Sequence, residues 1–170
     1  MTNRGKIESR ALNRRTFVSR MLFTRFLTIA IVGALAAPAH ADIAAWDQAN
    51  VTALARQLDA ASKALYDTFF KQPKPTTVQS KQFYRLREDV RLIRNDARAL
   101  ARALEKGAGR DETQPKYDDL MQNVRRAQDN AAKVFTSKDL KDRASGARAV
   151  LNQLTPYYDA DAKPLEPVTR

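Results

Sequence analysis

Apolar residues recur at alternating steps of three and four along four stretches of the chain. This spacing places them on one face of a helix, and it is typical of helices that pack lengthwise against one another. The clearest stretch is 76–106. Its apolar stripe consists of Phe83, Leu86, Val90, Ile93, Ala97, Leu100 and Leu104. We therefore predict a long amphipathic helix here, with Thr76 and Gln79 as its capping box.

The same spacing predicts three further helices, over about 43–71, 114–135 and 137–154. Thr113 is the expected N-cap of the third helix. Four amphipathic helices with short connections and no strand pattern predict an all-α, up-down-up-down four-helix bundle over residues 42–158. We expect residues 159–170, which contain two prolines, to form a flexible C-terminal tail.

The N-terminal segment has the pattern of a targeting signal. Arg14 and Arg15, followed after one spacer by Phe17, resemble the twin-arginine export motif. The apolar run 26–37 follows, and its twelve residues are too few to span a bilayer. A twin-arginine-type signal over residues 1–41 is therefore preferred over an uncleaved membrane anchor.

The expected cleavage site is formed by Ala39 and Ala41, two small residues separated by one position. Cleavage there would leave a domain that begins at Asp42. The signal contains seven of the 30 Lys and Arg residues and one of the 19 acidic residues, so the net charge would fall from +11 to +5. Because this domain is only modestly basic and is expected to be exported, we do not expect it to bind nucleic acid.

The residue types that carry most enzyme chemistry are missing from the sequence. It has no Cys, and its only His is His40, within the expected signal. The domain therefore lacks thiolate nucleophiles, the usual general base and the usual haem or zinc ligand. Asp118 and Asp119 are adjacent on a helix, where neighbours point about 100° apart and cannot share a proton or a metal. We expect no enzyme activity, no cofactor, no metal and no small-molecule substrate.

Five arginines follow one flank of the 76–106 helix. They are Arg87, Arg91, Arg94, Arg98 and Arg102, and together we call them the arginine row. Like charges at this spacing repel, so the row requires acidic residues from an adjacent helix or an anionic surface on a partner. The candidate acids within the chain are Asp59, Asp67, Asp118 and Asp129. Both alternatives stay open, and the row is the candidate docking face.

The segment 83–92 resembles the PsbQ-like (oxygen-evolving enhancer protein 3) family of photosystem II extrinsic proteins. In that family a tryptophan precedes a leucine by three positions, and a polar-Asp-aliphatic-Arg-Leu run follows; Phe83 stands here at the tryptophan position. The segment 129–133 is similar to the family's Asp-x-Ala-Ala-Lys, and 150–154 is similar to the end of its last helix. The resemblance covers about Phe83 to Leu154.

This resemblance implies a non-catalytic extrinsic subunit, peripheral to the thylakoid membrane. Such a subunit docks on photosystem II lumenal subunits, stabilises the oxygen-evolving complex and helps it to retain calcium and chloride. The implied location is the chloroplast thylakoid lumen. Two alternatives remain. One is a bacterial periplasmic helical bundle with an accessory or ligand-binding role, exported by the twin-arginine route. The other is an anion- or lipid-binding bundle that places the arginine row at a membrane surface.

Overall fold

The computed structural model describes residues 42–74 and 80–167. It contains α1 (Gln48–Phe70), α2 (Ser80–Glu105), α3 (Arg110–Ala131) and α4 (Lys138–Leu154), followed by a short 3-10 helix, Thr155–Tyr157. No strand occurs in the described part of the chain. The fold is therefore an all-α four-helix bundle, as the sequence predicts.

Some of the sequence predictions lie outside the described residues. These are the signal motif Arg14, Arg15 and Phe17, the cleavage site Ala39 and Ala41, and the capping pair Thr76 and Gln79. Within residues 42–74 and 80–167, no helix has the length and apolar character needed to cross a membrane.

The apolar stripe of α2 is buried along its whole length, as predicted. It packs against α1 on one side and α3 on the other, while α1 also packs against α4. Aromatic rings fill both ends of the core. Phe69 stacks on Phe83 at one end with ring centroids 5.0 Å apart, and Tyr117 stacks on Tyr158 at the other at 4.4 Å.

Side-chain caps define the starts of two helices. Asp47 precedes α1 and accepts a hydrogen bond from the backbone N–H of Asn50 at 3.1 Å, so the helix begins later than the predicted position 43. Ser137 precedes α4 and accepts from the N–H of Leu140 at 3.3 Å. Each cap satisfies one of the N–H groups that have no partner within the helix.

The predicted start of α3 is wrong by one turn. The helix begins at Arg110 after Gly109, and Thr113 is buried inside its first turns rather than serving as the N-cap. The Thr113 hydroxyl donates to the Gly109 carbonyl oxygen at 2.7 Å and lies 2.9 Å from the Tyr158 hydroxyl oxygen. The earlier start has a physical reason, because Asp111 and Glu112 then lie in the first turn, where acidic side chains complement the helix dipole.

The bundle is closed on three sides and open on the fourth. Although α3 and α4 are consecutive in the chain, their backbones barely approach each other, unlike the other neighbouring pairs. Several of the side chains that line the gap between them are small. They include Ala127 and Ala131 on α3 and Ala144 and Ala147 on α4. Small side chains cannot reach across this separation, so a gap remains beside the core.

The described part of the C-terminal segment bridges this gap. The backbone N–H of Leu165 donates to Asn152 Oδ1 on α4 at 3.0 Å. The Gln128 side chain on α3 donates to the carbonyl oxygen of the next residue, Glu166, at 3.2 Å. Residues 159–167, which the sequence assigns to the tail, thus contact both helices that border the gap.

Candidate functional site

The gap between α3 and α4 forms an apolar groove with a volume of about 680 Å³. Its floor is built from buried core residues of α1, α2 and α3. They include Leu58, Leu65, Phe69, Val90, Ile93 and Leu120. Ligand pockets in proteins measure roughly 300–1,000 Å³ and are mostly apolar with a few placed polar groups. The groove has the size and lining of such a pocket.

The floor contains a polar atom without a hydrogen-bond partner. Ser62 on α1 lines the groove and is only 1% exposed, and its Oγ makes no hydrogen bond. A serine inside a helix often bonds to the carbonyl oxygen one turn earlier, but Ser62 does not. A buried hydroxyl left without a partner costs about 1–3 kcal/mol, so the groove carries an unsatisfied donor and acceptor in its floor.

The rim of the groove on α4 carries more positive than negative charge. Lys141, Asp142 and Arg148 all line it. Asp142 is already paired with Lys138 at 2.7 Å, whereas Lys141 forms no ion pair with any described residue. Arg148 is half-buried and donates only to the neighbouring Ser145 hydroxyl, at 3.2 Å. Two cationic side chains are therefore available at the mouth of an apolar groove.

A second, smaller recess lies on the outer face of α3. It has a volume of about 330 Å³ and is lined by Tyr117, Asp118, Arg125 and Asp159, among others. Its lining includes the core residues Tyr117 and Met121. Asp118 accepts a hydrogen bond from the Gln114 side chain at 3.0 Å and lies two turns inside α3.

The arginine row lies on α2 as predicted. Of the acids considered from the sequence, Asp67 on α1 interacts electrostatically with Arg94, and the direct contacts of the row with α1 are to aromatic rings. Arg87 lies over the ring of Phe70, 4.3 Å from its centroid, and Arg94 lies over Tyr66 at 4.6 Å. Both rings belong to α1. Stacking of guanidinium groups on aromatic faces is favourable and leaves the polar edge of each group in solvent.

The other three arginines of the row are exposed. Arg91 pairs with Glu88 one turn earlier, with its Nε 2.9 Å from the carboxylate, which lowers the pKa of Glu88 through that hydrogen bond. Arg98 and Arg102 make no hydrogen bond or ion pair with any described residue. The row therefore divides into a part held against α1 and a free part near the end of α2.

The α2–α3 interface contains a polar network that sequence reasoning missed. Asp89 is 3% exposed, and its two carboxylate oxygens accept from Arg126 Nε at 2.5 Å and Asn130 Nδ2 at 2.6 Å. Arg126 also donates to Asn123 Oδ1, and Asn123 donates to Asp96. Arg85 has the helical spacing for an ion pair with Asp89 on the same helix, but the carboxylate is bound by side chains of α3 instead. The signal that could have revealed the network is the position of Asp89 beside Val90 in the apolar stripe.

Ser62 was missed for a similar reason. The spacing of Leu58, Ala61 and Leu65 predicts that Ala61 lies in the apolar stripe of α1. The helix instead buries Ser62 and leaves Ala61 half-buried. Positions 58, 62 and 65 also follow steps of four and three. A polar residue at such a position was the available signal for an unusual core site.

Within residues 42–74 and 80–167, no group of three or more His, Cys, Asp or Glu side chains is arranged to hold a metal ion. Comparisons of the chain with family models, with curated proteins and with solved structures found no significant match.

Proposed function

We propose that this protein is an exported, non-catalytic binding protein that holds an elongated apolar small molecule in the groove between α3 and α4. This is the ligand-binding alternative considered from the sequence, in which the molecule in the groove is bound and not converted. The observation that carries it is the open side of the bundle. A four-helix bundle normally buries its core on all sides, whereas here buried leucine and phenylalanine side chains line a solvent-accessible groove.

An exposed apolar surface of this kind costs free energy unless something covers it. Ligand sites in helical bundles are commonly built between the helices from inward-facing side chains. The groove follows this arrangement, since all four helices contribute residues to its lining. A role in binding also needs no nucleophile, general base or metal ligand, which are the groups that the sequence lacks.

Titration with 1-N-phenylnaphthylamine, an uncharged fluorophore whose emission rises in apolar surroundings, tests this proposal. We expect saturable binding by the mature protein with one site per chain. The double variant Ala127→Leu, Ala144→Leu places larger side chains on both walls of the groove, so its affinity for the fluorophore should fall about tenfold or more.

The matched control is Ala53→Leu, Ala99→Leu, which adds the same atoms at two exposed positions away from the groove. It should bind the fluorophore as the wild type does. Non-saturable binding by the wild type, or equal binding by the groove-filling variant, would contradict the proposal. Thermal unfolding of each variant confirms that it is folded before its affinity is compared.

A second candidate is the extrinsic subunit implied by the PsbQ-like resemblance, which would dock on the lumenal face of photosystem II through the arginine row. Arg98 and Arg102 favour it, because both are exposed and have no partner among the described residues. Exposed cations that meet an acidic surface give salt-dependent attachment. This candidate implies a location in the thylakoid lumen, and the first candidate implies the bacterial periplasm.

Co-sedimentation with photosystem II membranes over a range of salt concentrations tests the docking candidate. Arg98→Gln, Arg102→Gln should weaken attachment and its salt dependence, whereas Arg85→Gln, on α2 but outside the row, should not. Attachment that is absent in the wild type, or unaffected by the double substitution, would reject this candidate and leave the groove proposal untouched.

A further inference from the structure

The groove combines three features that together define the chemistry of an occupant. Its floor is apolar, one buried hydroxyl has no partner, and two cationic side chains lie on its rim. Each feature alone is compatible with many molecules. The relative positions of the hydroxyl and the cations restrict the classes of molecule that fit the groove. These positions follow from the antiparallel packing of α1 and α4.

The end of α1 and the start of α4 are linked by a hydrogen bond from Gln72 Nε2 to Ser137 Oγ at 2.6 Å. This link places residues 72 and 137 at the same level of two antiparallel helices. Because both helices rise by about 1.5 Å per residue, Ser62 then lies opposite Ala147, at the level of Arg148. The unpartnered hydroxyl of Ser62 in the floor and Arg148 on the rim therefore lie at the same level of the groove.

From this level the groove continues toward Phe69 on α1 and Leu140 on α4, with an apolar floor and with Lys141 and Asp142 on its rim. Seven residues separate Ser62 from Phe69, a distance of about 10 Å along the helix. An extended hydrocarbon chain advances about 1.25 Å per bond, as follows from C–C bonds of about 1.5 Å at tetrahedral angles. This part of the groove thus matches a chain of about eight or nine methylene groups.

We propose that the groove binds a medium-chain fatty carboxylate, with its carboxylate between Ser62 and Arg148 and its chain directed toward Phe69. This inference rests on the proposed function and specifies its ligand class. The Ser62 hydroxyl donates to one carboxylate oxygen and so gains the partner that it lacks. Arg148 supplies a planar pair of donors suited to a carboxylate. Lys141 lies seven residues earlier on α4, about 10 Å along the helix, beside the hydrocarbon chain rather than the carboxylate.

Competition against bound 1-N-phenylnaphthylamine tests this inference with two ligands that differ only in the head group, decanoate and 1-decanol. At pH 7, we expect decanoate to displace the fluorophore at a concentration about tenfold lower than 1-decanol does. Arg148→Gln should weaken decanoate binding about tenfold and leave 1-decanol binding unchanged. Ser62→Ala should weaken decanoate binding several-fold, since it removes a donor from the same head-group position.

Arg143→Gln is the matched control, because Arg143 is an exposed cation of α4 outside the groove and pairs with Asp139 at 3.5 Å. It should leave decanoate binding unchanged. Equal affinity for acid and alcohol, or decanoate binding that does not respond to Arg148→Gln, would overturn the inference. If the fluorophore binds and neither decanoate nor 1-decanol displaces it, the ligand class is wrong while the groove proposal stands. If the fluorophore does not bind, both fail.

Discussion

The two sides of α3 differ in how they meet their neighbours. Toward α2, the helix is joined by the network that links Asp89, Arg126, Asn130, Asn123 and Asp96. Toward α4, it presents Leu120, Val124 and two alanines, and no hydrogen bond joins the two helices within the described part of the chain. The closed side is fixed by directional bonds, and the open side is not.

This difference indicates how a small bundle can keep a groove without collapsing. If α3 were held by apolar packing alone, it could slide toward α4 and bury the exposed core, because such packing has no directional preference. Buried polar groups fix the position of a helix, since displacement leaves them without partners. We infer that the α2–α3 network holds α3 away from α4 and so preserves the groove.

The largest expected effect comes from breaking the closed side. Asp89→Ala removes the buried carboxylate and leaves Asn130, which is buried, without its partner. Removal of one member of a buried ion pair typically costs about 3–5 kcal/mol, although the half-exposed position of Arg126 places this case toward the lower end. Urea unfolding measures the loss.

Glu88→Ala is the control for this prediction. Glu88 is the neighbour of Asp89 in sequence and pairs with Arg91 on the surface of α2, where solvent screening leaves an ion pair little effect on stability. A loss of similar size in both variants would contradict the structural role that we assign to the network.

Two fully buried leucines allow a direct comparison of the closed and open regions. Leu100 lies in the closed core of α2, and Leu120 lies in the floor of the groove, although both are 0% exposed. Truncation to alanine costs about 2–5 kcal/mol, with larger losses where more contacts surround the side chain. We expect Leu100→Ala to destabilise the protein by about 1–2 kcal/mol more than Leu120→Ala. If the two variants have equal free energies of unfolding in urea, the floor of the groove is packed as tightly as the rest of the core.

Ser62→Ala should stabilise the ligand-free protein by about 1 kcal/mol. The substitution removes a buried hydroxyl without a partner and introduces a better helix former. Thr52→Ala on the same helix is the control. Its hydroxyl oxygen accepts a hydrogen bond from Gln48 at 3.4 Å and lies 3.5 Å from the Leu104 carbonyl oxygen, so that substitution should not stabilise. A lower thermal midpoint for Ser62→Ala would mean that the hydroxyl has a partner in the free protein.

The smallest expected effect concerns Asp96, at the edge of the network. Burial raises the pKa of Asp96, and the hydrogen bond from Asn123 opposes this increase. The folded state therefore binds a proton more readily than the unfolded state, so stability decreases as the pH rises from the usual carboxyl pKa through the raised value. Asp96→Asn removes this penalty. At pH 7 it should raise stability by a few tenths of a kcal/mol, since partial exposure screens the charge, and at pH 3 the difference should vanish.

The sequence predicts the number of helices and the buried face of α2 because both follow from periodicity. Every position of the predicted α2 stripe, from Phe83 to Leu104, is buried. Helix starts are less predictable, as Thr113 illustrates, because a threonine can serve either as a cap or as a buried partner of Tyr158. The partners of the arginine row could not be predicted either, since an aromatic face on α1 can replace an acid.

The groove could not be predicted from the sequence at all. Periodicity identifies the residues of α3 and α4 that face inward, such as Val124 and Leu151, but it does not determine the distance between two neighbouring helices. That distance depends on the combined volume of the side chains between the two helices. It also depends on bonds made elsewhere in the bundle, here by Asp89 and Arg126. A groove that arises from a missing contact leaves little signal in the sequence positions that border it.

The bridge formed by the C-terminal segment has a practical consequence for experiments on this protein. Leu165 and Glu166 are bonded to α4 and α3 respectively, and Pro167 lines the groove. The separation of the two helices thus depends in part on a few residues near the end of the chain. A purification tag fused after Arg170 would begin four residues after Pro167, close in sequence to a residue that lines the groove. Tags are better placed before Asp42, since the described residues 42–57 do not line the groove and Ala44 is bonded to Pro156.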